Sequence, residues 1–435
     1  LRRMKKYDEY KDSGVAWIGE VPKHWKVLHL KHSLDGLQDG THGTYASVDA
    51  GKVLLSAKNV TEHGLIIGES ERTISDIDHK EIVSNGFPQQ GDILLCCVGT
   101  LGRCCIFEYP FPIAFQRSVT FLRTNSLLSN RMLLYILRNK YIDTQFQLFA
   151  KTSAQSGVYM GDLKDFYIVV PPINEQTAIA AYLDTHCAKI DNLISIQQKR
   201  IALLQELKQS VITHAVTKGL NPNVEIKQLG VEWIGDVPKH WEIRKIKTLS
   251  AVKRGASPRP IDDPKYFAEG GEFSWVRIAD VSASDKYLTT TTQKLSKLGS
   301  SLSVKRFPGD IFISIAGTVG KPIISSIKCC IHDGFVYFPY LKNMNTEFLY
   351  YIFMSGQPYL GLGKMGTQLN LNTETIGNID IPYPPITEQA AIASYLDHKC
   401  ATIDTSISNA QHQIELLQEY KQSLITEVVT GKRKV

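Results

Sequence analysis

The chain has 435 residues, a hydrophobic fraction of 43% and a net charge of +6. This length suggests roughly three compact units, and the composition is that of a globular protein with a sizeable core. No run of about 18 apolar residues occurs, so we expect no membrane-spanning helix, and residues 1–10 lack the apolar segment of a secretory signal. The mild positive charge permits a nucleic-acid partner without requiring one.

A short motif near the start of the chain returns in its second half. The opening motif is WIGEVPKHW at residues 17–25 and WIGDVPKHW at residues 233–241, so only Glu20 and Asp236 differ. Its tryptophans belong to the part that both copies share, whereas any specificity has to lie where the copies differ. We therefore predict that they anchor the start of each copy against a helix end. These tryptophans are Trp17, Trp25, Trp233 and Trp241.

Between the repeated ends lie two divergent middles of about 150 residues, each large enough for its own core. Short β-rich runs alternate with turn clusters, and a helical patch occurs at residues 131–142 and again at 346–355. The segments GDILLCCVGTLG, residues 91–102, and GDIFISIAGTVG, residues 309–320, still align. This pattern predicts two mixed α/β (α+β) domains.

Six of the eight cysteines come as adjacent pairs, which are Cys96-Cys97, Cys104-Cys105 and Cys329-Cys330. Neighbouring residues of a strand point to opposite faces, and metal sites usually space their ligands by two to four residues. We therefore expect half-buried strand positions, no metal site and a reduced, cytoplasmic protein.

A closing motif follows each middle and leads into a long helix. PPINEQTAIAAYLD at residues 171–184 recurs as PPITEQAAIASYLD at 384–397, and 30 of 47 positions are identical when the alignment continues to residues 217 and 430. A repeat of this length indicates domain duplication. Asn174 and Thr387 are predicted N-caps of the two helices.

Apolar residues then recur at alternating spacings of four and three, which is a heptad seam. The predicted seam consists of Ile190, Ile194, Ile201, Leu204 and Val211 in the first copy and Ile403, Ile407, Ile414, Leu417 and Leu424 in the second. Gln197 and Lys208 interrupt it as weak positions. Because both copies keep the same register, we predict an antiparallel coiled coil of the two helices with a pseudo-two-fold axis. The alternative is that each helix lies on its own domain.

The motifs of common enzymes and cofactor sites are weak or missing. The Gly-x-Gly-x-x-Gly string GLGKMG, residues 361–366, lacks the surrounding strand–helix unit of a dinucleotide site. The Pro-Pro pairs follow Val170 and Tyr383 rather than the Asn or Asp of a methyltransferase clamp. The acidic pair Asp262-Asp263 sits in a predicted turn. We therefore predict no catalytic residue, no metal and no cofactor in this chain.

Two variable modules, each opened by WIG-x-VP-x-HW and closed by PPI-x-EQ with a long helix, resemble the DNA-specificity subunit of type I restriction–modification systems. The resemblance covers essentially the whole chain. It implies that each middle is a target-recognition domain for one half of a bipartite, asymmetric site in double-stranded DNA, and that the helices act as a spacer. It further implies two adenine-N6 methyltransferase subunits docked on the helices and two restriction/translocase subunits, which would carry S-adenosylmethionine, Mg and ATP.

The predicted boundaries follow the repeated motifs. Residues 1–172 are the first recognition domain, 173–217 the central helix, 218–230 a linker, 231–385 the second recognition domain, 386–430 the C-terminal helix and 431–435 a basic tail.

Candidate DNA contacts are polar residues in turn-like stretches, since base edges favour Arg, Lys, Asn, Gln, Ser and Thr, and phosphates favour Arg and Lys. The loop DGTHGTY, residues 39–45, resembles a loop of the family's recognition domains, and KRGASPRP, residues 253–260, occupies the corresponding place. The predicted contacts of the first domain are Thr41, His42, Thr44, Tyr45, Lys58, Asn59, Arg103, Gln116, Arg117 and Tyr159. Those of the second are Lys253, Arg254, Ser257, Arg259, Arg277, Lys321, His332, Gln368 and Asn370.

Two other functions stay open at this point. A single-chain DNA methyltransferase or nuclease would act on DNA without a partner subunit, which an assay of the purified chain with methyl donor and DNA decides. A purely structural coiled-coil scaffold would bind no duplex even with a methyltransferase present. Each predicted contact also has the plain alternative of a solvated surface residue.

Overall fold

The computed structural model describes residues 5–150, 157–228, 230–359, 362 and 371–435. The chain divides into two compact units, Leu1–Gln197 with His412–Val435, and Gln198–Gln411. Each unit therefore contains one variable middle, the first part of one long helix and the last part of the other. In the part of the chain that the structure describes, no helix combines the length and the apolar character needed to cross a membrane.

The first unit is built on short strands and helices around one four-stranded sheet. Its strands are β1 (Tyr10–Asp12), β2 (Glu20–Pro22), β3 (Lys26–His29), β4 (Leu34–Asp39), β5 (Lys52–Leu55), β6 (Val60–Thr61), β7 (Gly64–Leu65), β8 (Thr73–Ile74), β9 (Ile93–Cys96), β10 (Cys104–Ile106), β11 (Ala114–Phe115), β12 (Val119–Thr124) and β13 (Tyr167–Val170). Its helices are α1 (Asp76–Ser84), α2 (Asn130–Leu137), α3 (Lys140–Phe149), α4 (Met160–Lys164) and the start of α5 (Ile173–Lys218). The main sheet has the order β10-β9-β12-β4, and a smaller sheet has the order β11-β5-β8.

The second unit repeats this plan. Its strands are β14 (Ile226–Lys227), β15 (Val237–Pro238), β16 (Glu242–Lys245), β17 (Lys253–Arg254), β18 (Phe273–Val276), β19 (Tyr287–Leu288), β20 (Gln293–Leu295), β21 (Val304–Arg306), β22 (Ile311–Ser314), β23 (Pro322–Ser325), β24 (Cys329–Ile331), β25 (Phe335–Tyr337) and β26 (Asp380–Tyr383). Its helices are α6 (Ile246–Leu249), α7 (Ile278–Ala283), α8 (Lys297–Ser301), α9 (Thr346–Met354), α10 (Thr373–Gly377) and the start of α11 (Ile386–Val429). The run β17-β25-β22-β23 of its main sheet matches β4-β12-β9-β10 of the first unit.

An antiparallel strand pair closes each variable middle immediately inside the two motifs. In the first unit β3 pairs with β13, and Lys26 lies opposite Val170. In the second unit β16 pairs with β26, and Glu242 lies opposite Tyr383. The two ends of each middle are therefore held together by main-chain hydrogen bonds, which brings the opening and closing motifs side by side.

The adjacent cysteines lie at strand positions or directly after them, and all eight cysteines are free and buried. They are fully buried rather than half-buried, because both faces of these strands are covered. Cys96 and Cys105 pack in one hydrophobic cluster, while their neighbours Cys97 and Cys104 pack in another. This is the alternation of faces that a strand imposes on consecutive residues.

The two long helices are confirmed, with small differences at their starts. The helices α5 and α11 begin at Ile173 and Ile386, so Asn174 and Thr387 lie inside the first turn and the predicted N-caps are wrong. The preceding proline takes the cap position, since the Pro172 carbonyl accepts from the amides of Glu175 and Gln176.

The predicted helical patch at residues 131–142 is two helices rather than one. The helix α2 ends at Leu137 and α3 begins at Lys140. Between them Asn139 is extended, and its side chain accepts from the Tyr141 amide at 2.8 Å, so it caps α3. The patch at 346–355 is one helix, α9.

Within each unit the predicted seam residues are covered, since all ten are buried or half-buried. In the first unit Ile190 and Leu424 belong to one core, and Lys421 Nζ lies 2.7 Å from Asp191 Oδ1. In the second unit Lys208 Nζ lies 2.7 Å from Asp404 Oδ1. Lysine is thus tolerated at a weak seam position because a partner-helix carboxylate accepts from it.

The direction of the pairing can be read in the first unit. The Arg433 guanidinium lies 5.9 Å from the Tyr182 ring, and Lys421 contacts Asp191. Tyr182 precedes Asp191 in the chain, whereas Arg433, just beyond the end of α11, follows Lys421. The two segments therefore run in opposite directions, which is the predicted antiparallel arrangement.

Candidate functional site

The closing motif holds the opening motif through one glutamate. In the first unit Glu175 accepts from Tyr7 Oη at 3.0 Å and from Trp25 Nε1 at 3.0 Å, and it lies 2.6 Å from His24 Nε2. Burial alone would raise the pKa of the Glu175 carboxyl, but the hydrogen bonds of His24 and Trp25 outweigh it and the pKa is lowered. The carboxylate form is therefore the one that this joint stabilises.

The second unit repeats the joint with fewer hydrogen bonds. His240 Nε2 lies 2.9 Å from Glu388 Oε2, while the buried indole Nε1 of Trp241 has no hydrogen-bond partner among the described residues. Trp25 and Trp241 are fully buried, which confirms their predicted packing role. Trp17 is 38% exposed, so the prediction does not hold for every tryptophan of the motif.

The glutamine of the closing motif fixes the loop that precedes α2. Gln176 is fully buried. Its amide accepts from the Ser129 amide and donates to the carbonyls of Leu127 and Pro171, each at 2.8 Å. In the second unit Gln389 makes the matching bonds to Asn345, Asn343 and Pro384. The matched motifs thus anchor each variable middle on its helix.

In the first unit two loop segments cross each other at the end of the main sheet. We call residues 39–45 together with 115–118 the first crossing. The Thr41 amide donates to the Phe115 carbonyl at 2.7 Å, and the Arg117 amide donates to the Thr41 carbonyl at 2.9 Å. A Cβ at Gly40 would collide with the Gln116 carbonyl, so only glycine permits this approach.

A carboxylate lies at the base of the first crossing. Asp39 accepts from Thr120 Oγ1 at 2.5 Å and lies 3.8 Å from His42 Nε2. Burial raises the pKa of Asp39. His42, Thr44 and Arg117 are exposed, and Thr41, Tyr45 and Gln116 are half-buried. These six predicted contacts therefore all belong to the two segments that the first crossing brings together.

The second unit contains the same crossing with other side chains. We call residues 253–260 together with 331–334 the second crossing. The Gly255 amide donates to the Phe335 carbonyl, and the Ala256 amide donates to the Ile331 carbonyl. A Cβ at Gly255 would collide with the His332 carbonyl, as at the first crossing.

Asp333 gathers the polar groups of the second crossing. Its carboxylate accepts from Ser257 Oγ at 2.9 Å and from Arg259 Nη2 at 3.0 Å, while its main-chain carbonyl accepts from Arg254 Nε. Burial alone would raise the pKa of Asp333, but the Ser257 hydrogen bond and the two guanidinium charges outweigh it, so the pKa is lowered. Beside it, burial lowers the pKa of His332, whose Nδ1 accepts from the Gly334 amide at 2.8 Å. Lys253 is exposed on the same loop.

Three predicted contacts are engaged in packing instead. Asn59 is 3% exposed, and its amide bonds Ile66 and Glu71. The Arg103 guanidinium donates to the Ala57 carbonyl. Lys321 Nζ donates to the carbonyls of Ser282 and Ser284 at 3.1 and 2.6 Å. These side chains satisfy main-chain groups of neighbouring loops, so we no longer place them in the candidate interface.

The remaining candidates lie outside the residue ranges of the two crossings or outside the described residues, and the charge of Arg277 acts on His332 of the second crossing. Lys58 is exposed and pairs with Glu71 at 2.8 Å. Arg277 and Tyr159 are exposed. Gln368 and Asn370 lie outside the described residues, as do Gly361, Gly363 and Gly366 of the glycine string.

Two acidic residues of the crossings were not among the predicted contacts, Asp39 and Asp333. DNA contacts are commonly sought among cations and amides, so a carboxylate was passed over. The alignment of the two middles contained the signal: Arg117 and Asp333 fall at equivalent positions, as do Asp39 and Arg254.

A second surface lies on the long helices. Leu203 and Leu207 are exposed on the second unit's part of α5. Their counterparts in the repeat, Leu416 and Tyr420, are exposed on the first unit's part of α11. Exposed apolar side chains four residues apart share a helix face, and here the duplication repeats that face.

The described residues contain no group of three or more His, Cys, Asp or Glu side chains that could hold a metal ion. A cavity of about 620 Å³ lies in the first unit. It is open to solvent and is lined by charged residues at the joint, including Glu9, Lys23, Glu175 and Lys434.

Comparison with known proteins agrees with this architecture. The family model of the type I restriction modification DNA specificity domain matches residues 69–206 and 238–416. These two matches cover most of the chain, which belongs to the type I restriction modification DNA specificity family. The match in each half follows the internal duplication.

Relatives and solved structures extend the match to nearly the full length. The type I restriction enzyme MjaX specificity subunit of Methanocaldococcus jannaschii is 26% identical over 430 residues, and the match covers 96% of both chains. The type I restriction enzyme MjaVIII specificity subunit of the same organism is 27% identical and covers 82% of both. A chain from a study of complex assembly and conformational transition in the type I R-M system has a TM-score of 0.73 at 17% identity, covering 94% of this chain and 99% of that one. The HsdS subunit of Thermoanaerobacter tengcongensis has a TM-score of 0.54 at 17% identity, with coverage of 94% and 98%.

Proposed function

We propose that this chain is the sequence-specific DNA-recognition subunit of a type I restriction–modification complex. Each recognition domain reads one half of a bipartite, asymmetric site in double-stranded DNA. The observation that carries the proposal is the pair of crossings: in each unit an indispensable glycine and the residue after it donate to equivalent main-chain carbonyls, while the polar side chains around them differ. A constant scaffold with variable side chains is what two readers of different half-sites require.

The chain itself catalyses nothing in this proposal. The long helices act as the spacer between half-sites, and each presents its exposed apolar face to one adenine-N6 methyltransferase subunit. Because Leu203 and Leu207 match Leu416 and Tyr420 across the repeat, two identical partners fit two equivalent faces. S-Adenosylmethionine, Mg and ATP would be bound by the methyltransferase subunits and by two restriction/translocase subunits.

The central experiment maps N6-methyladenine. The chain is co-expressed with a methyltransferase subunit from the same host in bacteria that lack adenine methylation, and the modified adenines of the genome are sequenced. We expect one bipartite, asymmetric motif that disappears without this chain. No methylation with both subunits present would contradict the proposal, and methylation by this chain alone would favour a single-chain methyltransferase.

The docking face has its own test. Leu203→Glu and Leu416→Glu each place a charge on one proposed face, so each variant should retain one methyltransferase subunit and the double variant none. Gln205→Glu and Gln418→Glu are matched controls, because these exposed polar residues lie two positions further along the same helices. Full retention of two subunits by the double variant would refute the assigned face.

A further inference from the structure

The second crossing converges on one carboxylate. Asp333 holds Ser257 and Arg259 through its two carboxylate oxygens and Arg254 through its main-chain carbonyl. Arg259 is still 70% exposed and Asp333 is 38% exposed. The guanidinium of Arg259 is therefore held on one edge and open on the other, which leaves donors for a ligand outside the domain.

The first crossing has the opposite arrangement of charge. Its loop bears Asp39 where the second loop bears Arg254, and its facing segment bears Arg117 where the second bears Asp333. The equivalence is fixed by hydrogen bonds, since Asp39 lies opposite Thr120 in β12 and Arg254 lies opposite Val336 in β25. The acidic and basic positions have thus changed places on one scaffold.

A carboxylate on a DNA-facing surface needs a reason. It repels phosphates and so lowers affinity for every sequence alike. A compensating effect comes from arginine, whose long side chain loses conformational freedom when it binds DNA. A carboxylate that already holds the guanidinium group before binding reduces that loss. A held guanidinium also meets a guanine edge in one orientation, which increases discrimination between bases.

Resting on the proposed function, we propose that Asp333 is a positioning residue: it holds Arg254, Ser257 and Arg259 in one arrangement and so determines the base preference of the second recognition domain. The carboxylate acts through Ser257 and Arg259, and the main-chain carbonyl of the same residue holds Arg254. Its removal should relax sequence preference while general attraction to DNA increases.

The test uses the complex of the chain with its methyltransferase subunit, and the genomic DNA of the expression host is the probe. Asp333→Asn keeps the size of the side chain and removes its charge. We expect methylation to spread to sites that differ by one base in one half of the motif, with the preference at those positions falling about 5- to 100-fold. The other half should keep its preference, which a merely structural defect would not achieve.

Matched variants separate the outcomes. Arg117→Ala should relax the opposite half of the motif, and Asp262→Asn, which removes an exposed turn carboxylate of the same domain, should change neither half. Asp333→Glu keeps the charge and should stay nearer to the parent than Asp333→Asn. If Asp333→Asn does not fold, Arg259→Lys supplies the same test, because lysine keeps the positive charge but lacks the planar guanidinium group with its parallel N–H donors.

The inference is overturned if Asp333→Asn leaves the motif unchanged or relaxes both halves equally. Absence of any bipartite motif for the parent complex would instead contradict the proposed function. As an independent measurement, binding of the complex to a duplex without the motif should become tighter in Asp333→Asn, and weaker non-specific binding would also overturn the inference.

Discussion

The closing-motif glutamine allows a quantitative prediction, because its removal leaves several main-chain groups unpaired. In Gln176→Ala the Ser129 amide and the carbonyls of Leu127 and Pro171 lose the partner that each now has at 2.8 Å. An unpaired buried polar group costs about 1–3 kcal/mol. Two of the three bonds are only partly buried, so we expect a loss of about 3–5 kcal/mol in the local stability of the first unit.

The duplication supplies the matched comparison. Gln389 bonds the Asn345 amide and the Pro384 carbonyl at 2.8 Å, but its third bond, to the Asn343 carbonyl, is 3.4 Å long. Because that bond is weak, Gln389→Ala should cost about 1 kcal/mol less than Gln176→Ala. Thr177→Ala is the control, since this neighbouring residue is exposed.

Hydrogen exchange measured by mass spectrometry is the appropriate assay, because it reports each unit separately and needs no two-state unfolding. Exchange in the peptide that contains the Ser129 amide should accelerate about 150- to 5000-fold in Gln176→Ala, which is the expected loss of local stability converted to a rate, and remain unchanged in Gln389→Ala. The peptide with the Asn345 amide should behave in the opposite way. Acceleration below about 3-fold, or equal acceleration in both units, would refute the idea that each glutamine anchors its own domain.

Two further predictions concern the lysine–aspartate pairs and the thiols. The side chains of the Lys421–Asp191 pair are 17% and 33% exposed, whereas those of the Lys208–Asp404 pair are 25% and 52% exposed. Double-mutant cycles should therefore give a coupling energy of about 1 kcal/mol for the first pair and at most about 0.5 kcal/mol for the second. Equal coupling energies would contradict the dependence on burial. Burial raises the pKa of three thiols to about 12. In the unfolded chain these thiols ionise near pH 9, so their full contribution to the free energy of unfolding is present below pH 9 and decreases above it. At pH 10 the loss is about 1.4 kcal/mol for each thiol. Those thiols belong to Cys97, Cys105 and Cys330. Urea unfolding at pH 8, 9 and 10 should show this loss, and a flat profile would contradict it.

The helices and the seam could be predicted because their signal is local. Heptad spacing determines which face of a helix is apolar, and the same spacing in both copies implies a common register. The pairing of Lys421 with Asp191 then follows from the helix positions. The predicted N-cap of α5, Asn174, lies two residues after the observed cap position, because the Pro172 carbonyl already accepts from the first free amides of the helix.

The crossings could not be predicted, because they join residues far apart in a part of the chain where the two copies differ. Nothing near Asp333 in the sequence indicates that Arg254 and Arg259 will reach it. The same difficulty applies to Asn59 and Lys321, whose partners in the structure are mainly main-chain carbonyls of other loops. Polar residue type alone does not separate a side chain that faces DNA from one that completes the interior.

The opening and closing motifs determine where a recognition domain can be exchanged. Glu175 and Glu388 join the motifs to each other, and these residues lie outside the strand pairs β3–β13 and β16–β26. An exchange that cuts between Trp25 and Lys26 and after Val170 therefore transfers a complete strand pair with its own register and leaves the joint in place.

We predict that a chain with residues 26–170 and 242–383 exchanged still binds two methyltransferase subunits and methylates a motif whose half-sites are interchanged. The exchange leaves both long helices, both joints and the exposed apolar faces unchanged. It transfers all residues of the first crossing to the second unit and all residues of the second crossing to the first unit. Methylation mapping gives the motif, and mass measurement of the purified complex gives the stoichiometry. A chain that keeps the parental motif order would show that half-site preference depends on residues outside the exchanged segments. Loss of the methyltransferase subunits from a folded chain would show that the domains, and not the helices, supply the docking surface.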